Sequence, residues 1–151
     1  MAGIERHSMS ASGITIRVFF AADESAVIAL WRDCGLTRPQ NDPKKDIARK
    51  LKEHPELFLV AELTGSVVGT VMAGYDGHRG WINYLAVESN RQKQGIGRQL
   101  LAEVERRLQT LGCPKVNLQV RPENQPALDF YARLGFVVEG AISLGKRLER
   151  D

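Results

Sequence analysis

A chain of 151 residues, 43% hydrophobic and 26% charged, carries enough apolar side chains for one core and too few for two comfortable domains. An aromatic content of 7%, with 14 glycines and 6 prolines, excludes collagen-like, low-complexity and disordered classes. The net charge of +3 is unevenly placed: from Glu88 to Arg121 seven basic residues face three acidic ones, a local field suited to an anionic partner.

Apolar runs such as Leu57 to Ala61 are far too short for a bilayer span, so no membrane segment is expected. Residues 1–13 are polar, lack the apolar stretch of a secretory signal, and read as a disordered extension ahead of one domain over 14–151. A cytoplasmic location follows as the default. Cys34 and Cys113 are far apart, and His7, His54 and His78 form no ligand pattern, so neither a disulfide framework nor a metal is expected.

Along the chain, Ile14, Ile16 and Val18 alternate with polar neighbours as a first strand. Asp23 opens a helix with Val27, Ile28 and Trp31 on one face, ended by Gly35. Asn41-Asp42-Pro43 caps a second helix with Ile47 and Leu51 inward, stopped by Pro55. Leu57 to Ala61 and Val67 to Ala73 make a hairpin around Thr64-Gly65, and the turn from Gly74 to Gly80 leads to a strand over Trp81 to Val87. Ile96, Leu100, Leu101, Val104, Leu108 and Leu111 mark a long amphipathic helix closed by Gly112. Val116 to Val120 is the next strand, and Ala127, Phe130, Tyr131 and Leu134 share one face of a short helix before Gly135. Phe136 to Val138 and the Ile142, Leu144, Leu148 set read as two closing strands. The order β-α-α-β-β-β-α-β-α-β-β is an α/β class with a mixed sheet and helices on both faces.

The most informative segment is Val87 to Arg98, which joins a buried strand to the start of the long helix. Gly95 and Gly97 remove Cβ atoms, the helix start offers unpaired N–H groups, and Arg91, Lys93 and Arg98 add charge. It is an anion site by construction, yet neither a Walker A loop nor a full dinucleotide fingerprint.

Gln92-Lys93-Gln94-Gly95-Ile96-Gly97 matches the Q/R-x-x-G-x-G/A signature of the GNAT acetyltransferase superfamily, and Asn124, Ala127, Phe130, Tyr131, Gly135 and Phe136 match its second motif. With the strand order, the resemblance covers nearly the whole chain after residue 13. Arg38-Pro39-x-Asn41-Asp42-Pro43, the run from Gly74 to Gly80 and Ser143 to Leu148 resemble a small bacterial YpeA-type subgroup of predicted acetyltransferases without a settled acceptor.

The resemblance implies an acyl-CoA N-acyltransferase fold and an N-acetyltransferase that moves an acetyl group from acetyl-CoA to a primary amine in a ternary complex, without a metal. By position, Leu85, Ala86 and Val87 would pair with the pantetheine arm. Gln92, Lys93, Gln94, Gly95, Ile96, Gly97 and Arg98 would wrap the pyrophosphate. Asn124 is a cofactor contact or an N-cap, with equal claim. The Leu85 N–H is the implied oxyanion donor and Tyr131 the implied general acid, against a packing role. Some relatives carry a glutamate where Trp81 stands, so the general base is unassigned. Asp42, Asp76 and His78 are candidate acceptor contacts, between the loop Arg38 to Asp42 and the turn Asp76 to Arg79, although capping and turn roles compete. A second reading is a catalytically weak acyl-CoA-binding or regulatory module. Nucleic-acid binding is disfavoured because few aromatics accompany the charge. Dimers are frequent in the family, so a homodimer is an open expectation.

Overall fold

The computed structural model describes residues 8–9 and 13–151. The extension expected over 1–13 thus falls mostly outside the described residues. Within it, Ser8–Met9 form β1, antiparallel to β2 (Thr15–Val18) with Ser8 opposite Ile16. Then come α1 (Glu24–Asp33) and α2 (Pro43–Lys50), where the Asp42 carboxylate accepts the Lys44 and Lys45 N–H groups and Pro43 occupies the first turn. β3 (Phe58–Leu63) and β4 (Ser66–Tyr75) are joined by Thr64 and Gly65 at φ 47° and 81°, the two left-handed residues of a tight hairpin. β5 (Gly80–Val87), α3 (Ile96–Thr110), β6 (Val116–Leu118) and α4 (Gln125–Arg133) complete the regular elements.

Among the described residues the six strands lie in sequence order, antiparallel except for β5 and β6, which run parallel because α3 crosses between them. Alternation along the central strands feeds two cores. Phe58, Val60 and Met72 face α1 and α2 with Val27, Trp31 and Ile47. Leu59, Ala61, Val71 and Ala73 face α3 with Ile96, Leu100 and Val104, and Phe130 and Tyr131 of α4, with Leu134 just after it, pack on that side.

From β2 to α4 the expected order is met, so the mixed α/β class stands. The two closing strands do not form. After α4 the chain makes no ladder, and Val137, Val138, Ile142, Leu144 and Leu148 are between 80% and 92% exposed. Alternation specifies a strand only where a neighbour pairs with it, and Gly140 and Gly145 weaken this one. The segment is tied down by side chains instead: Glu139 to Lys115 and Asn117, Ser143 to Gln119, Arg147 to Asn41, and Asp151 to Arg49. No helix among the described residues is long and apolar enough to cross a membrane, and no group of three His, Cys, Asp or Glu residues could hold a metal ion.

Candidate active site

β5 and β6 pair only over Gly80 to Ile82, opposite Val116 to Leu118, and then diverge. The gap between them is the slot that organises everything else. On the other side of β5, Met72 pairs with Asn83 and Thr70 with Ala86, so one extra residue stands in β5. Tyr84 absorbs it at φ 52°, in the left-handed region that a bulky residue seldom enters. The bulge changes which residues face the slot. Before it, Gly80 N–H donates to Lys115 of the β6 side. After it, Glu88 N–H donates to Val68 of β4, so alternation turns the Leu85 and Val87 backbones toward the slot.

Neighbouring side chains hold this bulge. Trp31 Nε1–H donates to Thr70 Oγ1 at 2.9 Å, and the Thr70 hydroxyl donates to the Tyr84 carbonyl at 2.9 Å. The Tyr84 ring stacks on Trp31 with centroids 3.8 Å apart, and its hydroxyl donates to Asp46 at 2.6 Å. Burial, then the Asp46 carboxylate, pushes the Tyr84 phenol well above its ordinary range.

At the far end of β5, Gly95 starts α3 at φ 86°, and no side chain caps the helix. The first N–H groups of a 15-residue helix are thus without a side-chain partner, as an anion would need. Lys93, Gln94, Gly95 and Arg98 are exposed around them. Gln92 is exposed as well, its Nε2 donating to the Val87 carbonyl at 3.1 Å, an oxygen that Cys34 Sγ also reaches. Ile96 is core. Gly97 is buried too, and a Cβ there would lie 3.1 Å from Phe130 Cζ, so its missing side chain admits the α4 ring rather than opening the loop.

A crevice of about 680 Å³ opens where β5 and β6 part. Asn83 and Tyr84 meet Gln119 and Arg121 there, with Arg38 and Asn41 from the loop after α1 and Asp46, Lys50 and Glu53 from α2 and its end. The acceptor pocket is expected between the Arg38 to Asp42 loop and the Asp76 to Arg79 turn; Arg38 and Asn41 line this crevice, and no residue of that turn does. Its expected carboxylates are not among its walls. Asp42 caps α2, and its own N–H donates to Asp151. Asp76 accepts the His78 and Arg79 N–H groups in the exposed turn after β4, bonds that hold its carboxyl below the ordinary value, and His78 is exposed beside it. Asn124 accepts the Ala127 N–H as the α4 cap. Tyr131 packs edge-on between Phe130 and Phe136, and burial pushes its phenol up to about 12.

The acetyltransferase (GNAT) family matches residues 11–136, ending where regular structure ends. This chain belongs to the GNAT acetyltransferase family. An acetyltransferase of Yersinia enterocolitica is 48% identical over 136 residues, covering 90% of this chain and 96% of that protein. Among solved structures similar to this GNAT acetyltransferase, Ard1 from Thermoplasma volcanium has a TM-score of 0.72 at 28% identity, with 84% of each chain covered. The PaiA N-acetyltransferase from Thermoplasma acidophilum, solved in complex with coenzyme A, shares the fold with a TM-score of 0.75 at 20% identity over 85% of this chain and 92% of its own.

Proposed function

We propose that this acetyltransferase moves an acetyl group from acetyl-CoA to a primary amine by direct attack within a ternary complex. The observation that carries the reading is the order of features along β5. The uncapped start of α3 follows its far end, the Leu85 backbone faces the side where β6 parts from it, and Asn83 and Tyr84 line a crevice with the Asp46 carboxylate.

In this reading the first N–H groups of α3, with Gln92 to Arg98 around them, hold the pyrophosphate, and Leu85 to Val87 pair with the pantetheine arm. Gly97 contributes its backbone only, because its Cα faces Phe130. Asn124 spends its side-chain oxygen on the α4 cap, which leaves its amide N–H₂ for the donor. When bound, acetyl-CoA supplies the thioester. The Leu85 N–H donates to the carbonyl oxygen as charge gathers there. The amine nitrogen forms a bond to the acyl carbon, the carbon–sulfur bond breaks, and one proton passes from nitrogen while sulfur takes up another. Tyr131 donates a hydrogen bond to the departing sulfur.

Asp46 is the carboxylate placed to hold the amine before it is deprotonated, kept in position by the Tyr84 hydroxyl. Asp42, Asp76 and His78, each engaged or set outside the crevice, retain a role at most at its approach.

The test is free-CoA release with an amine panel, varying both substrates. Intersecting initial-rate patterns and an N-acetylated product are expected. Acetyl-CoA binding without release for any amine supports the binding-module reading, and parallel patterns with an acetylated enzyme overturn the ternary complex.

A further inference from the structure

We propose that the acceptor carries an anionic group, carboxylate or phosphate, as well as its amine, and that Lys50 recognises that anion. The inference rests on the amine-acetylation reading above and names its substrate class. Lysine is rarely buried without a partner, because its ammonium loses hydration that only a counter-charge replaces. Lys50 is 9% exposed, yet no carboxylate among the described residues lies within ion-pair distance of it. Asp46 stands one helical turn before it, the spacing at which a lysine ordinarily pairs. That carboxylate is engaged by Tyr84 and Arg49 instead.

The ammonium is not sealed in the core. No buried side-chain nitrogen or oxygen among the described residues is cut off from solvent and also without a hydrogen-bond partner. Nζ, which makes no such bond, therefore keeps contact with solvent, and Lys50 is one of the residues that line the crevice. Gly74 of β4 lies beside the ammonium, where a Cβ would sit 3.7 Å from Nζ in ordinary contact. Burial pulls this ammonium below its ordinary range, with Glu56 and Glu53 opposing, as expected of a cation short of a counter-ion.

The crevice as a whole has the same bias. Arg38, Lys50 and Arg121 line it without an ion-pair partner among the described residues, against one such carboxylate, Glu53, whereas Arg49 is taken by Asp46 and Asp151. A polycationic acceptor would meet these charges at short range. A zwitterionic amine fits both sides, its amine toward Asp46 and its anion toward Lys50.

Two sets of matched acceptors test this: α-amino acids against their amides, and phosphoethanolamine against ethanolamine. CoA release is read for each, together with equilibrium binding to CoA-saturated protein. The anionic member of at least one pair is expected to show tenfold or greater kcat/KM over its neutral partner. In Lys50→Met that ratio should shrink at least tenfold through KM, with acetyl-CoA KM unchanged. Lys50→Gln serves if Lys50→Met does not fold. Equal or better use of the neutral members, a preference untouched in the variant, or no binding by any anionic member overturns the inference. Lys50-dependent binding of an anionic amine without CoA release supports the inference and overturns the transfer reading. Turnover without anion preference does the reverse.

Discussion

With its phenol pushed up to about 12, Tyr131 is a poor acid for a departing thiolate. An alkyl thiol titrates near ~8.5, so complete proton transfer from Tyr131 runs uphill by about 5 kcal/mol. A hydrogen bond to sulfur carries no such penalty. Tyr131→Phe is therefore expected to lower kcat by about 10- to 100-fold, with acetyl-CoA affinity kept. The wild-type pH–rate profile should have no limb from Tyr131 below pH 11. Near-normal kcat in Tyr131→Phe would leave the ring as packing between Phe130 and Phe136. Gly97 makes a separate claim at this scale. Because Phe130 Cζ fills the space of its absent Cβ, Gly97→Val should cost about 1–3 kcal/mol of stability, partly recovered by adding Phe130→Leu. Urea melts of Gly97→Val, Phe130→Leu and the double variant measure it. The sequence makes both motif residues visible but does not say what each one touches. Asp46 and Lys50 escape a linear reading for a plainer reason. In Pro43-Lys44-Lys45-Asp46-Ile47-Ala48-Arg49-Lys50 the charged residues look like a solvated face around Ile47, and only the docking of α2 brings three of them, Asp46, Arg49 and Lys50, to the crevice.

Among the elements, the kinked strand β5 depends on the Trp31–Thr70–Tyr84 chain of hydrogen bonds. Thr70 is fully buried, and Thr70→Val keeps its shape while leaving the Trp31 N–H and the Tyr84 carbonyl unpaired. The substitution should cost about 1–3 kcal/mol and lower kcat/KM more than thermal stability alone explains, since Leu85 takes its orientation from this bulge. Paired thermal melts and kinetics check it. Most of the order from β2 to α4 is legible because each element carries local signals: Asp42-Pro43 at a cap, Thr64-Gly65 at a turn, the Leu100 to Leu108 spacing on a helix. The bulge carries none. Its left-handed residue is a tyrosine, held there by Trp31, Asp46 and Thr70, all distant in sequence, so no local pattern announces it. The segment after Phe136 misleads in the opposite direction, because its alternation is real and its pairing partner is absent.

For the whole molecule, acid stability rests on a buried cluster at the end of β2. Arg17 donates to both Asp23 oxygens at 2.8 and 2.9 Å and to Glu62 at 2.7 Å. Burial alone would raise the Asp23 carboxyl, but the Arg17 guanidinium and the Phe20 N–H more than offset it and hold it below its ordinary value. Asp23 therefore binds fewer protons folded than unfolded. Its contribution is complete above the unfolded carboxylate range near ~4 and is lost as pH falls through the lower folded value. Urea melts from pH 6 to pH 3 should show stability declining below about pH 4, with a shallower slope in Asp23→Asn.

The short pairing of β5 with β6 also has a kinetic side. β2 to β5 form a meander whose later turns are tight, whereas β6 can join only after the whole of α3 has crossed the sheet. The slot thus lies along the seam between an antiparallel unit that assembles by near neighbours and a strand recruited from a distance, and just three residue pairs close that seam. A donor bound between the two strands would reinforce a late-formed, easily opened join. Acetyl-CoA should then slow amide hydrogen exchange first in Val116 to Leu118, ahead of β3 and β4, which are already protected by pairing on both sides.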